Sequence, residues 1–215
     1  MRLQHARTEL ELHALSHRDG PPLLLLHGLG GSSADWSEAP ALWPGRVFAL
    51  DFSGHGRSQW VRGGIYWPEL LAGDADAALA HIGGAAIAGA GVGAYVALLL
   101  AGGRRDQVPA ALLLPGRGLA GGGPQPDFDR PVLTLVTPAA HPPLPPHCDA
   151  LLCALEGDAR PPEYAAHLAA AARRLLLLDD GSARPPWWDA VRQGAAATTI
   201  AGDARQAFAR LAERL

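Results

Sequence analysis

The sequence predicts an α/β protein built on a mainly parallel, doubly wound sheet with flanking helices. Short apolar runs recur along the chain, as in strands that are buried on both faces. Helical patterns lie between these runs, and this alternation is typical of a parallel sheet covered by helices on both sides. With 215 residues the chain is long enough for a full core, and we take residues 1–215 as a single domain.

The predicted strands show two kinds of sequence pattern. Residues 3–15 alternate loosely between apolar and polar side chains, which favours an opening hairpin at the sheet edge. The later strands are continuous apolar runs, and we place them at Leu23–Leu26, Val47–Leu50, Ala85–Ala90, Ala110–Leu114, Leu175–Leu178 and Ala197–Ala201.

Three helical patterns separate or follow these strands. Pro68 suits the first turn of a helix whose apolar residues recur at helical spacing as far as Ile82. The segment Ala94–Ala101 is apolar on every side, which predicts a buried helix. The last segment, Ala204–Leu215, has one apolar face and exposes its arginines, so we expect it to cover the sheet.

Residues 118–172 allow two interpretations. The segment is rich in proline and contains apolar runs at Val132–Val136 and Leu151–Leu155, followed by a helical pattern over Ala159–Arg174. It forms either a reduced cap over the sheet or an insertion of extra strands with loops. In both cases we expect the cap to be reduced or absent.

The composition excludes several classes of function. A net charge of −3 gives no electrostatic argument for binding nucleic acid or an anionic membrane. The chain has no lysine, which excludes a Schiff base and a pyridoxal cofactor, and its two cysteines are too few for a structural zinc site. We therefore expect no metal and no cofactor. The polar start of the chain and the absence of a long apolar stretch predict a cytoplasmic protein.

The segment Gly89–Gly93 predicts a sharp turn between a strand and the buried helix. In the pattern Gly-x-Ser-x-Gly such a turn exposes a serine nucleophile, and its apex residue has a strained backbone with positive φ. The apex here is Gly91, which adopts positive φ without a Cβ penalty. The turn is therefore expected to form, but it has no side-chain oxygen that could act as the nucleophile.

Four motifs in order give the chain a resemblance to the α/β-hydrolases over nearly its whole length. They are His27–Gly31, Asp51–Ser58, Gly89–Gly93 and Thr198–Ala204. The resemblance implies that a histidine base should follow the last strand, where this chain has Ala204. It also places the triad acid near Asp179 and Asp180, which are either a relic of that acid or a polar strand end. Nucleophile and base are thus both missing from their expected positions.

The resemblance also implies an oxyanion hole formed by the N–H groups of Leu29 and Val92. Backbone N–H groups at a helix N-terminus attract a carboxylate, a phosphate or an enolate oxygen. We therefore predict a non-hydrolytic pseudoenzyme. It binds either a small molecule or anion at the elbow, or a protein partner. The predicted ligand-binding residues are Gly28, Leu29, Gly30, Trp36, Gly91 and Val92.

Two enzymatic alternatives stay open at this point. The first is a lyase, isomerase or cyclase that uses the oxyanion hole, with His27, His55 or Asp51 as the acid–base group. The second is a hydrolase with a displaced nucleophile, for which the candidates are Ser32, Ser33, Ser53 and Ser58.

Overall fold

The computed structural model describes residues 1–63, 66–119, 143–156, 161–181 and 184–213. Within them, eight strands form one sheet in the order β1-β2-β4-β3-β5-β6-β7-β8. The hairpin β1–β2 and the pair β2–β4 are antiparallel, and every other neighbouring pair is parallel. The strands are β1 Arg2–His5, β2 Thr8–His17, β3 Leu23–Leu26, β4 Arg46–Asp51, β5 Ala86–Ala90, β6 Ala111–Leu114, β7 Leu175–Asp179 and β8 Ala197–Ala201.

Helices cover both faces of this sheet, and each face has its own buried core. The helices are α1 Ala39–Leu42, α2 Pro68–Ile82, α3 Val92–Gly103, α4 Pro162–Ala171, α5 Pro186–Arg192 and α6 Ala204–Ala212. One core joins the sheet to α2, α3, α4 and α5, and the other joins it to α1 and α6. The mainly parallel, doubly wound architecture predicted from the sequence is therefore confirmed.

The continuous apolar runs are the best predicted elements. Each of the six predicted inner strands matches an observed strand to within one residue at either end. The buried helix and the helix after Pro68 are also present, and the latter ends at Gly83 with φ 86°. No helix among the described residues is long and apolar enough to cross a membrane.

The segment 118–172 is described only in part. Residues 151–155 lie in a 3₁₀ helix, Ala150–Leu155, and the helical pattern that follows is α4. The apolar run Val132–Val136 lies outside the described residues. The interpretation of this segment as a reduced cap or as extra strands therefore stays a prediction.

Candidate functional site

The turn between β5 and α3 has the tight geometry expected of a nucleophile elbow. Its apex, Gly91, has φ 54° and ψ −120°, a conformation that side-chain-bearing residues adopt only under strain. A Cβ on Gly89 would lie 2.1 Å from the carbonyl oxygen of Gly93, and a Cβ on Gly93 would lie 2.3 Å from that of Leu26. Glycine is therefore needed on both sides of the apex for α3 to pack this closely against the sheet.

The space beside the apex is filled by backbone from the loop that follows β6. A Cβ on Gly91 would lie 2.1 Å from the carbonyl oxygen of Arg117 and 2.6 Å from its backbone nitrogen. A Cβ on Gly116 would in turn lie 2.5 Å from the Gly91 nitrogen. The two chain segments approach each other at a distance that is open only to glycine, so a serine at position 91 would collide with the loop.

The two amides predicted to form the oxyanion hole share one acceptor within the protein. The N–H groups of Leu29 and Val92 each donate to the carbonyl oxygen of Arg117, and both N–O distances are 3.0 Å. This oxygen lies where a donor from the loop after β3 and a donor from the first residue of α3 converge. An external anion would have to displace it in order to use both donors.

We call residues 115–119 the plug segment, and three contacts hold it in place. The Arg117 guanidinium forms an ion pair with the buried Glu156 carboxylate at 2.5 Å. The Leu119 N–H donates to the Leu155 carbonyl at 2.6 Å, and the Trp187 indole N–H donates to the Leu119 carbonyl at 3.1 Å. The plug segment is thus attached to two elements besides the elbow.

The positions of the missing base and of the candidate acids serve local structure. Ala204 is the exposed first residue of α6, and Asp203 caps that helix by accepting the N–H of Gln206 at 2.8 Å. The exposed Asp179 accepts the N–H of Gly181 at 3.0 Å. Asp180 forms an ion pair with Arg184 at 2.6 Å.

His27 and His55 are fully buried, and backbone groups use both nitrogens of each ring. His27 donates through Nδ1 to the Gly28 carbonyl at 2.7 Å and accepts the Phe52 N–H at Nε2 at 3.2 Å. His55 accepts the Gly30 N–H at Nε2 at 3.2 Å, and its Nδ1 donates to a second backbone carbonyl. Burial lowers the pKa of both rings, that of His55 to about 3, so both are neutral near pH 7.

Asp51 holds the turn that follows β4. Its buried carboxylate accepts the N–H of Ser33 at 2.6 Å, the N–H of Arg57 at 2.9 Å and a bond from His13 Nε2 at 3.2 Å. Burial alone raises the pKa of Asp51, but these donors outweigh it and hold the pKa below its ordinary value. The carboxylate is therefore ionised and already committed to structural hydrogen bonds.

None of the four candidate serines is activated by a histidine in the described hydrogen bonds. Ser53 donates its hydroxyl to the buried carboxylate of Asp74, and Ser58 donates to a backbone carbonyl. Ser32 caps the 3₁₀ helix that follows it, and Ser33 donates its N–H to a carboxylate. These contacts stabilise turns, and none of those described pairs one of the four hydroxyls with a histidine.

Two cavities border the plug segment, and Leu114 and Pro115 line both of them. The first, about 320 Å³, opens at the carboxyl ends of β3, β5, β6 and β7 and is lined by His27, Gly28, Asp35, Trp36, Ala90, Leu114, Pro115, Leu178 and Ala204. The second, about 270 Å³, is bounded by Gly91, the plug segment and the residues around Trp187 and Trp188. A larger open groove of about 680 Å³ follows β8 and α6 and shares no lining residue with the elbow.

The predicted ligand-binding residues divide among these features. Gly28 and Trp36 line the first cavity, and Gly91 lines the second. Leu29 and Val92 are buried and donate their N–H groups to the plug segment, and the Gly30 N–H donates to His55. Arg117 was not among the predicted residues, although the glycines on both sides of it signal a close backbone approach.

Comparison with solved structures identifies the class of fold. An alpha/beta hydrolase from Sphaerobacter thermophilus superposes with a TM-score of 0.67 at 18% identity, covering 98% of each chain. The thioesterase domain from the curacin biosynthetic pathway superposes with a TM-score of 0.74 at 16% identity, covering 99% of this chain and 96% of that one. The bottromycin epimerase, solved in complex with bottromycin A2, reaches 0.65 at 20% identity and covers 99% and 95% of the two chains.

These matches define a protein with the α/β-hydrolase fold, and they confirm the fold that the resemblance implied. No protein-family model and no curated protein matches the chain. At these identities the likeness concerns the fold alone, so the function has to be argued from the site.

Proposed function

We propose that this chain is a non-hydrolytic α/β-hydrolase-fold protein that binds a small molecule at the carboxyl edge of its sheet. The observation that carries the proposal is the Arg117 carbonyl, which accepts hydrogen bonds from both Leu29 and Val92 at 3.0 Å. In a serine hydrolase these donors would have to be available to the oxygen of the tetrahedral intermediate. Here the donors are already satisfied inside the protein.

The fall in kcat expected without the catalytic groups is large enough to agree with this proposal. Removing a serine nucleophile or its histidine base from a comparable enzyme lowers kcat by roughly 10⁶-fold, and removing one oxyanion-hole donor lowers it by about 10²–10³-fold. This chain has Gly91 and Ala204 at the first two positions and occupied donors at the third. Little of the rate enhancement of the triad mechanism would remain.

The contacts of the other candidate groups favour binding over acid–base catalysis. One protein of this fold is named an epimerase, so the fold is compatible with reactions other than hydrolysis. In this chain, however, His27, His55 and Asp51 are buried and fully engaged by backbone partners or by His13. An acid–base group has to reach the proton that it transfers, and these groups would first have to give up structural bonds.

Two activity measurements test the proposal directly. We expect hydrolysis of p-nitrophenyl acetate and p-nitrophenyl butyrate at the background rate, and no labelling by a fluorophosphonate probe, under conditions in which an active esterase is fully labelled. Labelling of any serine, located by peptide mapping, together with turnover above background would overturn the proposal.

A titration with acetate tests the occupied donors separately. We expect the backbone amide signals of Leu29 and Val92 in a ¹H–¹⁵N spectrum to stay unchanged, because acetate cannot displace the Arg117 carbonyl. Saturable shifts of both signals would mean that the oxyanion hole accepts external anions, and the binding site would then lie at the elbow.

A further inference from the structure

The two edges of the sheet are formed by β1 and β8, and they differ in charge. β1 carries Arg2 and His5, and the Arg2 guanidinium forms ion pairs with the carboxylates of Glu9 and Glu11 on the neighbouring strand. β8 has the sequence Ala-Thr-Thr-Ile-Ala, without a charged residue or a proline. Exposed edge strands usually carry charges or prolines that prevent pairing with another chain, so the edge at β8 lacks this protection.

The backbone of β8 presents hydrogen-bonding groups at this edge. β7 is its neighbour on one side, and no described strand lies on the other. The Leu175 N–H on β7 donates to the Ala196 carbonyl at 2.8 Å, whereas the Ala197 N–H donates to a carbonyl that precedes the strand, at 3.0 Å. Because successive residues of a strand direct their backbone groups to opposite sides, the N–H and C=O groups of Thr199 and Ala201 face the open edge.

The side chains of β8 are also poorly covered. Thr198 and Thr199 are exposed although they lie within a strand of the sheet. α6 packs mainly over β6 and β7, and this leaves the groove of about 680 Å³ beside β8, with the buried Leu176 among its lining residues. The strands of a parallel sheet are normally covered on both faces, so β8 projects beyond the layer of helices.

Charged side chains of both signs flank β8 on each face of the sheet. On the α6 face, the groove is lined by Arg174, Arg210 and Glu213. On the α5 face, a smaller cavity beside Thr199 is lined by two carboxylates and two guanidinium groups, those of Asp179, Asp189, Arg184 and Arg192. A surface that carries both signs can face a copy of itself with opposite charges in contact, whereas a surface of one sign would repel its copy.

The sequence of β8 is suited to pairing with itself. Read in either direction, it has alanine at both ends and β-branched residues between them. β-Branched residues are favoured in strands, and side chains that lie opposite each other on neighbouring strands contribute to the stability of the pair.

We propose that two copies of this chain pair through β8, antiparallel and related by a twofold axis beside Thr199, so that their two sheets become one. In this register Thr199 lies opposite Thr199 of the second copy, and each N–H donates to the carbonyl of the other. The Ala201 N–H of each copy donates to the Ala197 carbonyl of the other. A twofold interface uses the same surface on both copies, so association stops at the dimer.

Sedimentation velocity tests the dimer. We expect a monomer–dimer equilibrium with a Kd on the order of 10 μM, because the interface is small. A protein that stays monomeric up to about 500 μM would overturn the inference. Association beyond the dimer would also overturn it, since β8 would then pair head to tail with a different surface of the next copy.

Opposite charges at position 199 test the register. Thr199→Lys and Thr199→Glu each place like charges opposite each other at the twofold axis, so we expect each variant alone to dimerise at least about tenfold more weakly. An equimolar mixture of the two should recover the natural Kd to within about threefold. Gln4→Lys adds a charge at the β1 edge and should leave the Kd unchanged, and circular dichroism checks that every variant is folded.

Two results would contradict this register. A dimer that persists at the natural Kd in both single variants would mean that the interface lies elsewhere. A mixture of folded variants that stays monomeric would mean that the two residues at position 199 do not lie opposite each other. No residue of the elbow lines the groove or the cavity beside Thr199, so these results do not depend on the outcome of the fluorophosphonate test.

Discussion

Two turns at the carboxyl ends of the strands are stabilised in different ways. In the turn at residues 51–58, buried polar side chains make the stabilising bonds, and Asp51, Ser53, His55 and Ser58 all have partners. At the elbow, residues 89–93, the bonds are made by backbone alone, and the carbonyl of Arg117 satisfies the donors.

The difference shows which side chains the fold itself requires. The side chains of the first turn replace missing backbone partners, so removing one would leave buried donors unpaired. A serine at the elbow would add strain at positive φ and a collision with the Arg117 backbone, and glycine avoids both. The fold therefore depends on the polar side chains at residues 51–58, and it requires no side chain at position 91.

The largest effect on stability is expected from placing a side chain at the apex of the elbow. Gly91→Ala would place a Cβ 2.1 Å from the Arg117 carbonyl oxygen at φ 54°, so we expect a loss of at least about 3 kcal/mol in the free energy of unfolding. Urea denaturation measures it. Gly103→Ala, where a Cβ would have no neighbour within 4 Å, should change stability by less than about 1 kcal/mol. Similar values for the two variants would contradict the close approach of the plug segment.

Removing the central acceptor of the other turn should have the next largest effect. Asp51→Ala leaves the N–H groups of Ser33 and Arg57 without their acceptor in a buried site, and we expect a loss of about 3 kcal/mol on urea denaturation. Asp179→Ala removes one exposed bond to Gly181 and should cost less than about 0.5 kcal/mol. If both variants cost the same, Asp51 does not hold the turn.

The buried rings of this turn predict a loss of stability in acid. The pKa of His55 is about 3 in the folded protein and 6.5 when unperturbed, so the unfolded chain binds an extra proton between these values. The neutral, buried ring of His55 therefore does not reduce the free energy of unfolding above pH 6.5. As pH falls toward 3, protonation of His55 in the unfolded chain lowers this free energy, by about 2 kcal/mol between pH 7 and pH 5.

His55→Gln keeps an acceptor for the Gly30 N–H and removes the titration. We expect the free energy of unfolding of this variant to fall less steeply than that of the natural chain between pH 7 and pH 5, as followed by urea denaturation at each pH. Parallel pH profiles would mean that the His55 ring is accessible to protons in the folded state.

The sequence predicted the strands well because their signal is local. The runs Leu23–Leu26 and Leu175–Leu178 are continuous and apolar, and burial on both faces leaves few other structures open to them. The geometry of the elbow could be predicted equally well, because the spacing of Gly89, Gly91 and Gly93 is typical of a sharp turn between a strand and a helix.

The plug segment could not be predicted in the same way, because it depends on strand register. The parallel pairing of Ala90 with Leu114 brings the residues after β5 and β6 side by side, and this places the Arg117 carbonyl against Gly91. The glycines on both sides of Arg117 indicate a close approach of the backbone, but they do not indicate which segment it approaches. The burial of the Trp36 indole N–H without an acceptor among the described residues is likewise a result of packing between distant segments.

The smallest expected effect comes from His5, and its dependence on pH is opposite to that of His55. His5 Nδ1 bonds to the buried Asp74 carboxylate at 2.7 Å, and this bond is the main cause that raises the pKa of His5, although burial opposes it. The contribution of a raised pKa is complete below the unfolded value of 6.5 and is lost as pH rises through the folded value. Solvent screening at the half-buried ring limits it to less than about 1 kcal/mol.

His5→Gln should therefore lower the free energy of unfolding more at pH 6 than at pH 8.5, with the same substitution at the exposed His17 as the control. Because Asp74 also binds Ser53, a charged His5 strengthens the turn at the pH values where His55 weakens it. A larger loss at pH 8.5 would mean that His5 serves as a neutral hydrogen-bond partner, and the two histidines would then weaken the turn together in acid.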